Sequence, residues 1–313
     1  MSDQPIEPVR ISNSEIQTFK DCKRKWWLSY YRRLQPKTQQ FTGALALGSR
    51  IHQALDDHYS KGIPLIEAHA ALVDTDRGIL QAQYRDTYDL DSDAELGRIM
   101  LEGYLEWNEE NGIDSELELI SAEEIIEMPM LNGEVILQGK IDQRVRRKTD
   151  GVRMFRDWKT VGGSFTDFAA GAQMNEQIKT YMLLETAQNK EGERTEGGVF
   201  TLFKKVKRTA NAKPPFYDQI EVRHNIFTLR AFWANINAVL SEMMNTRKAL
   251  DAGANFQTVT YPRPSRDCKW KCQFFTLCPM FDDGSAVEQA LSDSYEIADP
   301  YAYYQIEEKK GSE

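Results

Sequence analysis

Two carboxylates and a lysine stand out among the 313 residues by their spacing. Gly139-Lys140-Ile141-Asp142 is followed, after fourteen intervening residues, by Asp157-Trp158-Lys159. Side chains alternate along a strand, so Asp157 and Lys159 share one face. Asp150-Gly151 lies between the two stretches and is a hairpin turn signal. Such a hairpin lets Asp142 lie on the neighbouring strand within reach of both. Paired carboxylates suit a hard divalent cation, which prefers oxygen ligands and keeps several waters. A lysine beside them can orient a water for attack on phosphorus and offset developing negative charge. An ordinary exposed hairpin would also carry a D-x-K, so the reading depends on what surrounds it.

Three further features bear on it. Gln177-x3-Tyr181 places an amide and a phenol on one face of a helix, where they could hold a DNA backbone or base. His52, on an earlier helix, can complete a two-carboxylate site and makes Mn²⁺ reasonable beside Mg²⁺. The other histidines, His58, His69 and His224, have no such setting. Cys22 stands alone, while Cys268, Cys272 and Cys278, with Pro279 directly after, fall within eleven residues. Structural zinc sites use close cysteine pairs at both ends, which this set lacks. On softness alone four thiolates suit either Zn²⁺ or an iron–sulfur cluster.

The elements that must position these residues follow from periodicity. Ser12 and Ser14 precede a helical stretch carrying Ile16, Phe19, Trp26, Trp27 and Tyr30. Gly43 to Gly48 leads into a helix with Ile51, Leu55 and Tyr59 on one stripe. Gly43-x4-Gly48-Ser49 has the outline of a phosphate loop, but its lysine is missing and Arg50 follows, which excludes nucleotide binding there. Helices over 64–85 and 94–110 complete a helical first third. The period then switches to two over 134–144 and 152–161, with a helix over 173–188, a strand around Val199, Thr201 and Phe203, and a long helix over 225–250. This order predicts an α/β core with a helical addition.

Composition is that of a globular chain, with 41% apolar and 28% charged residues. No apolar run approaches the roughly 18 residues that span a bilayer, and the start, MSDQPIEPVR, has no apolar signal core. A cytoplasmic, membrane-free protein with reduced cysteines is expected. The net charge of −9 disfavours indiscriminate nucleic-acid binding, but the charge is segregated. Fifteen acids against Arg98 fill 86–127, and the last thirty residues are acidic and expected to be loosely held. Bases cluster at 20–37, 140–148 and 204–213, as a phosphate-binding footprint would require.

Taken together, Ser12-x-Ser14 to Phe19-x2-Cys22, Gly48-x3-His52, Gly139-x2-Asp142, Asp157-Trp158-Lys159, Gln177-x3-Tyr181 and the cysteine triplet with Pro279 resemble, in family order, the RecB/AddB-type nucleases of the PD-(D/E)XK superfamily. The branch they resemble carries an iron–sulfur cluster and includes CRISPR-associated adaptation nucleases and phage exonucleases. The resemblance implies a restriction-endonuclease-like α/β core with a mixed central sheet, a helical N-terminal part and a C-terminal iron–sulfur segment. It implies His52, Asp142, Asp157 and the Trp158 carbonyl as ligands of Mg²⁺ or Mn²⁺, with Asp142, Asp157 and Lys159 catalytic. It further implies Gln177 and Tyr181 as DNA-engaging residues, and a 4Fe-4S cluster on Cys22, Cys268, Cys272 and Cys278. Two departures are Ile141-Asp142 for the superfamily's Pro-Asp, and x3 as the first triplet step where many members have x2.

The expected organisation is one integrated domain: a helical part over 1–115, a nuclease core over 116–252, a cluster segment over 253–282 and an acidic tail over 283–313. The expected activity is a metal-dependent exonuclease on DNA ends or single strands, in recombination, repair or replication. Lys204, Lys205, Lys207 and Arg208 would track phosphates, and Trp26, Trp27 or Tyr181 would stack on bases. A helicase or recombination partner is an expectation by analogy, as is a phage or stand-alone bacterial origin that would make the host cytoplasm its location. The competing reading is a DNA-binding module on an inactive nuclease fold, against which the intact Asp142, Asp157 and Lys159 set argues.

Overall fold

A computed structural model describes residues 7–187 and 195–304. The first third holds β1 (Val9–Ser12), α1 (Asn13–Asp21), α2 (Lys23–Trp26), β2 (Leu34–Pro36), α3 (Ala44–Lys61), α4 (Leu65–Ala82) and α5 (Tyr88–Asn111). The middle holds β3 (Leu117–Met130), β4 (Val135–Arg147), β5 (Arg153–Val161), α6 (Phe165–Ala172), α7 (Glu176–Ala187), β6 (Thr195–Lys204) and β7 (Tyr217–Arg223). The chain closes with α8 (Ile226–Asp251), α9 (Phe256–Val259), α10 (Cys268–Lys271), α11 (Val287–Ser294) and β8 (Tyr295–Ile297). It is a mixed α/β fold with a helical N-terminal part, as expected. Among the described residues no helix is long and apolar enough to cross a membrane.

The chain divides into two compact units, one of residues 40–126 and 140–229, the other of residues 1–39, 127–139 and 230–313. In the first, β4 and β5 run antiparallel, β5 and β6 parallel, and β6 and β7 antiparallel. The mixed sheet follows from sequence order. A tight turn at Gly151 (φ 73°) permits the antiparallel hairpin, while α6 and α7 form the crossover that a parallel β5–β6 pair requires. The helices pack through Leu47, Ile51, Ala54, Leu55, Leu65, Met100, Leu101 and Tyr104 onto Trp158 and Phe203 of the sheet. Beneath β5, Arg156 is 2% exposed, yet its charge is answered by Asp114 at 2.7 Å and the Tyr104 hydroxyl at 2.7 Å.

The acidic stretch contains β3, which its composition conceals, since glutamate is a poor strand former. Here β3 pairs with β4 and its acids meet β4's bases. Glu123 pairs with Lys140, Glu124 with Arg144, and Glu118 with Arg146 at 3.3 Å. Arg147 pairs with Asp150 at 2.8 Å and Glu221 at 3.0 Å. Four of the five bases of the 140–148 run are therefore matched by carboxylates, while the exposed Lys148 donates to the Ser115 carbonyl at 2.8 Å.

In the second unit β1 lies parallel to the start of β4, from Val9↔Val135 to Ser12↔Gln138. Ser12 caps α1, accepting from the Glu15 amide. Glu15 is fully buried and accepts from the Trp26 indole at 2.8 Å, Arg247 at 2.7 Å and the Tyr301 hydroxyl. Trp27 stacks on Phe256 at 4.6 Å. Three of the seven 20–37 bases meet carboxylates within this unit, Lys23 with Glu242, Arg24 with Asp282 and Arg32 with Glu288, and Lys25 and Lys37 donate to backbone carbonyls. The expected loose tail is instead ordered at its start, where α11 leads to β8 and β8 pairs antiparallel with β2. Residues 305–313 of that tail, and Gln188 at the end of the helix expected over 173–188, lie outside the described residues.

Candidate functional site

Every residue assigned to the metal and catalytic set lies in the 40–126 and 140–229 unit. The β4–β5 register pairs Gln143 with Arg156, so one step further Asp142 comes opposite Asp157. Lys159 follows on the same face, its Nζ 2.6 Å from Asp157 Oδ2. His52 comes from α3, with Nδ1 3.5 Å from Asp142 Oδ2. One helical turn before it, a Cβ on Gly48 would sit 3.1 Å from Thr160 Oγ1. The glycine thus lets α3 lie close over β5, which brings His52 to the carboxylates. Trp158, between Asp157 and Lys159 of β5, is 1% exposed and stacks on Tyr59 at 5.4 Å.

Burial dominates the electrostatics, because it penalises every charge in the set. At Asp157 burial and the neighbouring Asp142 outweigh Lys159, and the carboxyl is pushed up to about 6. At Asp142 burial is overridden by the hydrogen bond and charge of His52, and its carboxyl is held below the usual range. His52 and Lys159 are both raised against burial, His52 by Asp142 and Lys159 by Asp157. Two facing carboxylates, Asp142 held low and Asp157 raised by burial and by Asp142, are chemically suited to a hard divalent cation, with an imidazole alongside. Among the described residues no set of three or more His, Cys, Asp or Glu side chains stands in a ready-made metal-holding arrangement.

Gln177 and Tyr181, on α7, face inward to this centre. The Gln177 amide uses both halves: Oε1 accepts from Lys159 Nζ at 3.0 Å, while Nε2 donates to Asp157 Oδ1 at 3.2 Å and to the Tyr181 hydroxyl at 2.9 Å. The Tyr181 hydroxyl in turn donates to the Lys140 carbonyl at 2.7 Å. α7 can approach so closely because β6 has Gly198 beneath Ile178, where a Cβ would come within 2.4 Å. The three rings expected to stack on bases are not available for it: Trp26 is 0%, Trp27 7% and Tyr181 6% exposed.

Two residues near the centre fall outside the motif spacings. Glu123 pairs with Lys140, and burial, with Asp56 and Asp142 adding, pushes its carboxyl up to about 7. Asp56, also raised by burial, lies one turn after His52, an i,i+4 relation that could have pointed to it. In the 204–208 run, Lys204 donates to the Gly163 carbonyl, and Arg208 donates to the Tyr217 hydroxyl at 2.8 Å with its guanidinium 3.7 Å from the Phe216 ring. Lys207 is exposed, donating to Ser92 Oγ at 3.3 Å, and Lys205 is half-buried.

The four cysteines are all in the other unit, free and half-buried. Cys22 sits where α1 gives way to α2, in extended conformation (φ −161°), and its sulfur accepts from the Arg263 amide at 3.4 Å. Cys268 accepts from the Ser265 amide at 3.3 Å. Burial pushes the Cys272 thiol up, with Cys22 and Cys268 adding to the shift. Burial does the same to Cys278, with Cys22 and Cys272 adding. The four sulfurs are soft donors of the kind a thiophilic metal or cluster takes, but among the described residues no three of them stand in a ready-made metal-holding arrangement.

A family model described as the PD-(D/E)XK nuclease superfamily matches residues 10–279. No curated protein matches the chain. Among solved structures, one titled "Crystal structure of SSO0001" is similar at 14% identity, covering 85% of this chain and 95% of that one, with a TM-score of 0.31.

Proposed function

The chain belongs to the PD-(D/E)XK nuclease superfamily, and from that premise we propose that it is a divalent-metal-dependent exonuclease acting on DNA ends or single strands. The observation that carries the proposal is the convergence of Asp142, Asp157 and Lys159 on one face of the β4–β5 hairpin, with His52 3.5 Å from Asp142. His52, Asp142, Asp157 and the Trp158 carbonyl would hold Mg²⁺ or Mn²⁺. When bound, the cation supplies charge stabilisation at the scissile phosphate and acidifies a water.

The chain's own residues supply the rest. Lys159, raised by Asp157 and so cationic at neutral pH, orients the attacking water and offsets charge developing on phosphorus. Gln177 holds that ammonium at 3.0 Å and the Asp157 carboxylate at 3.2 Å, so neither rotates away between turnovers. Tyr181 ties Gln177 to the β4 backbone next to Asp142, which makes the pair a positioning device more than a DNA contact. In the other unit, Cys22, Cys268, Cys272 and Cys278 would hold a 4Fe-4S cluster. Joining residue 22 to residues 268–278 closes a very long loop, where a cross-link removes most unfolded-chain entropy in theory.

The test is digestion of end-labelled single- and double-stranded DNA, with a closed circle as control, in Mg²⁺, Mn²⁺ or EDTA. Linear substrates should be shortened from their ends only with metal, and Asp157→Ala or Lys159→Ala should abolish this while the protein stays folded. Cleavage that survives EDTA or either substitution would overturn the site.

A further inference from the structure

We propose that the cysteine-bearing segment carries a second nucleic-acid contact, a platform for unpaired bases built on Trp270 and rimmed by Lys25, Arg263, Arg266, Lys269 and Lys271. It rests on the nuclease reading only in assuming that DNA is the substrate.

Trp270 is the most exposed of the six tryptophans at 79%, while Trp26, Trp27 and Trp158 are buried. Its position follows from the cysteines. Cys268 opens the single turn of α10 and Cys272 caps its end in extended conformation; Trp270, two residues after Cys268, lies on the opposite side of that turn from Cys268. A large ring left in water forgoes the burial that normally stabilises it, and exposed aromatics between cations are what a single-strand surface is made of. The flanking Lys269 places its ammonium 5.2 Å from the Trp270 ring.

The cations gather here by tertiary contact. Lys25 of α2 donates to the Lys271 carbonyl at 3.3 Å, which brings a distant basic run onto the same turn. Arg263 donates its amide to Cys22 and its guanidinium to the Lys20 carbonyl at 3.2 Å, beside the end of α1. Arg266 is exposed. Asp267 on the same turn pairs with Lys271 at 2.6 Å. The contrast with β4 matters: there each basic side chain from Arg144 to Arg147 meets a carboxylate, whereas here Lys25 and Arg263 end on backbone carbonyls and keep their charge. A carbonyl-bound cation beside an exposed indole matches a phosphate beside an unpaired base.

The experiment is fluorescence anisotropy of a labelled dT oligonucleotide and of a blunt hairpin duplex, in EDTA so that nothing is cut. Wild type is compared with Trp270→Ala, Trp270→Phe and an Arg266→Ala, Lys269→Ala pair. Because Trp270 is exposed, these variants should melt like wild type. Trp270→Ala should bind dT about 5- to 150-fold more weakly, with duplex affinity changed less, and Trp270→Phe should retain most of the dT affinity. The double variant should lower the salt slope by about 0.7 for each phosphate it no longer neutralises. Equal dT affinity of wild type and Trp270→Ala, with metal-dependent cleavage intact, would overturn the platform alone. A Trp270 effect in a wild-type protein that cuts no DNA would overturn the nuclease reading and leave the platform standing.

Discussion

Replacing Gln177 with alanine separates two roles the side chain could have, contact with DNA or orientation of the catalytic groups. In the fold its amide makes one bond to the Lys159 ammonium at 3.0 Å and one to the Asp157 carboxylate at 3.2 Å. A hydrogen bond to a charged group contributes about 1.5–3 kcal/mol. If that orientation energy is expressed in the transition state, losing one such bond lowers kcat about 10- to 150-fold. Losing both is not additive, because Lys159 and Asp157 still hold one another at 2.6 Å. Affinity for uncut DNA in EDTA should change little, since the amide is spent on partners inside the protein. The assay is steady-state cleavage of a labelled single strand with Mg²⁺, paired with anisotropy in EDTA and a thermal melt. Gln177→Glu should also be slow, because it puts a third carboxylate beside Asp157, already pushed up to about 6. A wild-type kcat with an affinity loss of tenfold or more would refute the positioning role and restore Gln177 to the DNA surface.

Three other outcomes can be checked on the purified protein. Glu15→Ala leaves Arg247 and the Trp26 indole without their buried acceptor, and should cost about 3–5 kcal/mol, read as a lower urea midpoint at unchanged m; an unmoved midpoint would show that this network contributes nothing. His69 is 3% exposed and burial lowers it to about 4, so the unfolded chain takes up its proton first and stability should fall as pH drops from 6.5 to 4, by about 3 kcal/mol at most from this group. His69→Gln should flatten that part of the pH–stability curve, and an identical curve would refute the assignment. Purified without oxygen after iron-replete expression, the protein should be brown with about four irons per chain, and Cys272→Ala colourless and less stable; stoichiometric zinc in colourless wild type would exclude the cluster.

Local spacing was enough to place much of the candidate centre. Period-two alternation around Asp157 and Lys159, the Asp150-Gly151 turn and the helical stripe with His52 are consequences of backbone geometry acting over a few residues. Those elements appear where the spacing puts them. The acidic β3 was not legible, because glutamate disfavours strands unless a partner neutralises it, and its partners lie some 20 residues on in β4. The same pairing matches Lys140, Arg144 and Arg146 to carboxylates, while other contacts between distant segments bury Trp26, Trp27 and Tyr181 and turn Gln177 toward Lys159. A residue's type says that it carries charge or an aromatic ring. Whether that group meets water, a counter-charge or another ring depends on which distant segment packs against it, and only the folded chain brings those segments together.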